Sequence, residues 1–173
     1  MNYIETERLI LRDWLESDRG VFQKMNADPE VMRYFPKTSS AIETDNFILA
    51  IQRELKESGF GLYAVEVKET GAFIGFIGFH KASFKASFTP CIEIGWRLNK
   101  TAWGKGYATE GAKACLQYGF EILGFKEVYS FTAAVNTSSE NVMRKIGLQY
   151  VATFDHPSVA KESHLSKHVL YKT

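Results

Sequence analysis

The stretch from Cys91 to Leu123 limits this chain more than any other. Its first part, Ile92 to Leu98, is rich in β-branched and aromatic residues and reads as a buried strand, and from about Tyr107 onward apolar residues recur at helical spacing. Between them stands Trp103-Gly-Lys-Gly-Tyr-Ala-Thr-Glu110. A strand, a glycine loop and a helix in that order make an anion site: Gly104 and Gly106 let the backbone approach a ligand closely, and the helix's first turn offers unpaired N–H groups backed by its dipole. Phosphate is the natural guest. The spacing is neither that of a mononucleotide P-loop nor that of a dinucleotide fingerprint.

A chain of 173 residues, 45% hydrophobic and 14% aromatic, is long enough for one sizeable core and short for two, so residues 1–173 read as a single domain. The formal net charge of +1, from 21 basic and 20 acidic residues, gives no electrostatic case for nucleic acid or an anionic membrane. Partners must come from local sites. No apolar run reaches transmembrane length and the N-terminus lacks a signal peptide's hydrophobic region, which together point to a cytoplasmic protein. Cys91 and Cys115 form neither a metal pair by spacing nor a disulfide framework.

In chain order, Arg8 to Trp14 reads as a first strand, and Ser17-Asp18 as the cap of a short helix to about Met25. Ser40-Ala-Ile-Glu43 is a capping box, after which Ile42, Phe47, Ile48, Ile51 and Leu55 recur on one helical face until Gly59. Leu62–Lys68 and Phe73–Phe79 flank the turn Glu69-Thr70-Gly71 as a hairpin, and Gly75 and Gly78 mark a bulge or a close backbone approach. Lys81-Ala-Ser-Phe84 is repeated as Lys85-Ala-Ser-Phe88, too short for a solenoid; it reads as a surface loop, the other reading being that the two phenylalanines face an acceptor. Ala108, Ala112, Cys115, Leu116, Gly119, Phe120 and Leu123 mark a buried stripe, which makes Cys115 a core residue before a nucleophile. Glu127–Val135, Gln149–Phe154 and His164–Tyr171 complete the strands.

Trp103-Gly-Lys-Gly-Tyr-Ala108 resembles the pyrophosphate loop of the GNAT superfamily of N-acetyltransferases, Arg/Gln-x-x-Gly-x-Gly/Ala, in the form of its RimJ/RimL-like branch. Trp103 departs from the pattern at its first position. Asn136-Thr-Ser-Ser-Glu-Asn-Val-Met-Arg-Lys-Ile-Gly-Leu148 resembles a second family segment, and Ala27–Pro36 looks like the stretch that borders that branch's acceptor groove. The resemblance implies an α/β (α+β) fold with a mixed, mostly antiparallel sheet, splayed between its fourth and fifth strands and flanked by helices. It also implies acetyl transfer from acetyl-CoA, without a metal, to a protein N-terminal amine or a small-molecule amine.

By the same resemblance the pantetheine arm lies in the splay against the backbone near Arg97 and Leu98, in the manner of β-augmentation. The pyrophosphate falls to main-chain N–H groups of Gly104, Lys105, Gly106, Tyr107, Ala108 and Thr109, and Asn136 anchors the cofactor arm unless it is a cap. An attacking amine must first lose a proton, and Glu93, within Ile-Glu-Ile-Gly95, matches the family's acidic residue; an ion pair or an outward-facing position competes with that role. The departing thiolate profits from a donor. Met143 stands where many relatives keep a tyrosine, which leaves Ser139 as the acid unless it caps a helix. A backbone N–H near Trp96 or Arg97 is placed to hold the oxyanion. Two other readings stay open: an acyl-CoA sensor without catalysis, and a metal site on His164 and His168, spaced as a helical i,i+4 pair but without a completing ligand set. Nothing in the sequence fixes an interface; a homodimer is compatible with it.

Overall fold

The computed structural model describes residues 1–173. Eight strands form one sheet: β1 (Asn2–Glu5), β2 (Leu9–Arg12), β3 (Leu62–Val67), β4 (Ala72–Ala82), β5 (Cys91–Leu98), β6 (Tyr129–Ala133), β7 (Gln149–Asp155) and β8 (Lys167–Lys172). The helices are α1 (Glu16–Ala27), α2 (Ala41–Ser58), α3 (Tyr107–Glu121) and α4 (Thr137–Lys145). Spatial order is β1-β2-β3-β4-β5-β6-β8-β7, antiparallel throughout except where β5 meets β6. There the two strands run parallel and share a single pairing, Glu93 with Tyr129, before they part. The splay expected between the fourth and fifth strands is this gap, because the N-terminal segment is two short strands and not one, which raises the strand count by one. No helix is long and apolar enough to cross a membrane.

Period-two alternation assigns the two faces of the sheet. Ile77, Phe79 and Ile94, all fully buried, face α3. Glycine makes that helix fit: a Cβ at Gly111 would stand 2.4 Å from Ile77 Cδ1, and one at Gly119 2.7 Å from Phe79 Cζ. On the other face Phe22 of α1 and Phe47 of α2 pack edge-on against Phe76 of β4, with ring centroids 6.0 and 6.1 Å apart. Ser40 accepts a hydrogen bond from Glu43 N–H, the Glu43 carboxylate takes the Ser40 N–H in return, and Gly59 closes α2 in the left-handed region at φ 75°. Asp18, not Ser17, organises the start of α1, accepting from Leu15 N–H at 2.8 Å and from Arg12 at 2.7 Å.

Gly75 sits at a bulge in the β3–β4 pairing with φ 131°, and Gly78 is a close approach. A Cβ at Gly78 would lie 2.2 Å from Gly61 O, 2.7 Å from Leu62 Cα and 2.9 Å from Tyr63 N. All three are backbone, so nothing flexible can yield. Gly78→Ala is therefore expected to destabilise the protein by about 3 kcal/mol or more, read as a melting temperature lowered by roughly 6–12 °C in a thermal scan. A drop of a degree or less would contradict the close packing.

Candidate active site

The phase of the β4–β5 ladder decides what faces the gap. Asn99 N–H donates to Ile74 O at 2.8 Å and Phe79 N–H to Gly61 O at 2.9 Å, so the odd-numbered residues of β5 hydrogen-bond to β4. The even-numbered ones turn their backbone the other way: Ile94 O accepts from Ser130 Oγ at 2.8 Å and Leu98 O from Trp103 Nε1 at 2.9 Å. Between them the Trp96 N–H and C=O face a gap in which no strand continues the pairing. This shifts one expectation. The Arg97 backbone belongs to the β4 ladder and the Leu98 carbonyl is already taken, which leaves Trp96 as the open edge.

At the mouth of the gap, Gly104 (φ 72°) and Gly106 (φ 81°) make the left-handed turns that start α3. The first helical bond runs from Glu110 N–H to Gly106 O, and no backbone N–H from Gly104 through Thr109 has a partner within the chain. A row of free amides on a helix start suits a diphosphate. The Lys105 side chain is exposed. What holds the loop was not legible in advance. Glu110 accepts from Thr6 Oγ1 at 2.6 Å, Arg8 N–H at 2.9 Å and Arg8 Nε at 2.6 Å, while Arg8 Nη1 donates to Lys105 O at 2.8 Å and its guanidinium lies 4.6 Å from the Tyr107 ring centroid. The Thr-x-Arg near the N-terminus is the only local sign of this clamp.

Glu93, Gly95 and Arg97 share the face that looks toward α1 and α2. Above Gly95 the space is open: a Cβ there would find only Glu93 Oε1, at 3.8 Å. Glu93 has no hydrogen-bond partner, and burial pushes its carboxyl up to about 8, with nearby Glu54 adding to the rise and His80 opposing it. His80 itself is raised, held by Glu54 at 2.7 Å. A cavity of about 310 Å³ at Glu93 is lined also by His80, Phe84, Phe131 and His156. The duplicated segment is thus no free surface loop. Phe84 packs edge-on against Phe131 with centroids 5.4 Å apart, and Phe88 packs 5.0 Å from Phe154.

Ser139 lies in the first turn of α4, after β6. Asn136 caps that helix and uses its whole amide within the chain. Its Oδ1 accepts from Ser139 N–H and Ser138 Oγ, and its Nδ2 donates to Thr132 Oγ1 at 3.0 Å and Ser139 Oγ at 3.2 Å. The capping reading of Asn136 therefore prevails over a direct side-chain grip on a cofactor. Because Ser139 Oγ accepts from Asn136, its own O–H proton is left free to donate. Burial pushes the Cys91 thiol up to about 11, with Glu93 and Glu127 adding to it, and burial likewise raises the sealed Cys115 thiol well above its ordinary value, so neither offers a thiolate near neutral pH. His168 lies on β8 opposite Phe154, so the helical spacing that a His164–His168 ligand pair would need does not form.

A sheet opened between two parallel strands, with a glycine-turned helix start at its mouth, is the architecture of an acyl-carrier-binding acetyltransferase. The family described as "Acetyltransferase (GNAT) domain" matches residues 8–149, and the chain belongs to it. Among its relatives is the FsC-acetyl coenzyme A-N(2)-transacetylase of Aspergillus fumigatus, 32% identical over 163 residues, spanning 87% of this chain and 66% of that enzyme. Among solved structures, a GNAT-family acetyltransferase from Bacillus anthracis superposes with a TM-score of 0.81 at 27% identity, covering 98% of this chain and 96% of the other. RimL, the ribosomal L7/L12 alpha-N-protein acetyltransferase, solved with coenzyme A, shares the fold at 13% identity with a TM-score of 0.81, over 100% of this chain and 97% of its own. Acetyltransferases of this family use acetyl-CoA, and the free amides of Gly104–Thr109 fit its diphosphate.

Proposed function

We propose that the protein moves an acetyl group from acetyl-CoA directly to a primary amine, a protein N-terminus or a small molecule, with both substrates bound at once. The observation that carries this reading is Glu93: an unpartnered carboxyl, raised to about 8, leaning over an open glycine floor beside the free backbone edge of Trp96. A base of that strength matches an α-amino group, which titrates near ~8. Glu93 takes one proton from the ammonium and passes it to solvent. The freed amine adds to the thioester carbon, the Trp96 N–H donates to the oxyanion, and the C–S bond breaks as the C–N bond is completed. Glu93, ionised again, takes the second amine proton, while Ser139 O–H, held in place by Asn136, protonates the departing thiolate and is itself reprotonated from solvent. Two protonated cysteines give no support to an acyl-enzyme route.

The test is acetyl-CoA turnover across N-terminal peptides, amino acids, polyamines and aminoglycosides, followed as acceptor-dependent CoA release. Intersecting initial-rate patterns are expected, and Ser139→Ala is expected to lower kcat about 100-fold or more. Tight coenzyme A binding with no acceptor-dependent release would replace this reading with that of a sensor.

A further inference from the structure

Arg97 is the one guanidinium in the groove that the fold leaves without an acid. Its Nε is sealed from solvent with no hydrogen-bond partner, its Nη1 donates to Asn26 Oδ1 at 2.9 Å, and Nη2 has no partner in the chain. No carboxylate comes within salt-bridge distance, and burial alone acts on it, lowering it to about 10. Three rings surround it in place of an acid: Phe35 at 4.4 Å, Phe76 at 5.4 Å and Phe47 at 5.7 Å from Cζ to centroid. Such contacts lessen the cost of burying the charge but satisfy none of its N–H donors. Elsewhere the chain pairs the guanidiniums it buries, as with Arg12 against Asp18 and Glu66, both at 2.7 Å. A buried guanidinium with one neutral hydrogen-bond acceptor and an open end is short of an anion.

Its position says which one. Glu93 and Arg97 project from the same face of β5 on either side of the bare floor at Gly95, roughly 13 Å apart along the strand by Cα. Phe35, from the segment that leads into α2, covers the Arg97 end and is itself partly exposed. We infer that Arg97 is the carboxylate anchor of the acceptor subsite: the groove takes a primary amine that also carries a carboxylate, the amine over Gly95 beside Glu93 and the carboxylate against the guanidinium, with Asn26 and Phe35 holding the guanidinium's plane. The inference rests on the acetyl-transfer reading above and narrows its acceptor class to amino acids and short peptides with a free carboxylate, against polyamines.

The experiment compares free amino acids and short peptides with their carboxamides, in CoA release and, separately, in calorimetric binding to the CoA-loaded protein. Rates are compared on the high-pH plateau, where amine titration cancels. The carboxylate member of each pair is expected to be preferred about 100-fold or more, because a charge-assisted bidentate contact is lost in the amide. Arg97→Gln should slow the carboxylate acceptors about 100-fold or more, to the level of their amides, so that the preference disappears. Asn26→Asp guards against misfolding: it supplies Arg97 with an internal carboxylate, so the melting temperature should hold or rise while the preference is lost. Equal treatment of acid and amide by the wild type, or a preference that survives Asn26→Asp, would overturn the inference. Selective binding of carboxylates without turnover would uphold the subsite and reject the transferase reading.

Discussion

The Glu93→Gln protein is expected to acetylate its acceptor about 10²–10⁴-fold more slowly than wild type, the usual loss when a positioned base is removed. Acetyl-CoA affinity should not change, since the side chain faces α1 and α2 while the free backbone edge of β5 faces the gap. The pH profile separates this from mere damage. In the wild type kcat/KM should climb through about 8 as Glu93 ionises. The variant should lose that inflection and keep only the acceptor's own titration. A stability signature accompanies it. The folded carboxyl is raised from 4.5 to about 8, so the protonated form is the one that folding favours: its contribution is fully present below about 4.5 and is lost as pH rises through about 8. Wild type and variant should therefore melt together at pH 4, and the variant should be the more stable at pH 9, by roughly 2–4 kcal/mol. An unchanged rate and an unchanged profile would remove Glu93 from the mechanism.

Features legible in the sequence were those whose physics is local. The boundaries of α2 follow from Ser40, Glu43 and Gly59, the hairpin from Gly71 at φ 68°, and the loop's shape from Gly104 and Gly106. Gly75 and Gly78 announced a bulge and a backbone contact, and the structure has both. Periodicity was less exact where it met the surface: Ile42 is 75% exposed and Phe120 38%, because a stripe read at 3.6 residues runs off the packed face at a helix end. Of the opening pair, the strand read over Arg8–Trp14 is β2, and β1 before it was missed because its four residues carry too little alternation. Beyond reach were contacts assembled from distant segments. Arg97 and Asn26 are 71 positions apart, Arg8 and Glu110 102, and no local pattern encodes either. Strand parity likewise decided that Trp96, not Arg97, presents its backbone to the gap, and parity needs the ladder's phase.

Placing valine at the start of α3 is expected to remove the diphosphate site without unfolding the protein. Gly106 holds φ 81°, where a β-branched residue is strained, and its Cβ would come 3.4 Å from Arg8 Nη2, a flexible side-chain end on a solvent-exposed turn. The strain costs about 1–3 kcal/mol if the turn keeps its shape. If the turn relaxes, the amides from Gly104 to Thr109 no longer converge on one point. Hydrogen bonds to a charged phosphate are each worth about 1.5–3 kcal/mol, so losing two weakens binding roughly 10²–10⁴-fold. Calorimetry with coenzyme A should register that loss for Gly106→Val, while pantetheine, which has the arm but no diphosphate, should bind wild type and variant alike. An unaltered affinity for coenzyme A would place the diphosphate elsewhere. An equal loss for pantetheine would mean that the substitution had closed the gap beside Trp96 and not the anion site, because the arm reads only the strand edge and the diphosphate reads only the helix start.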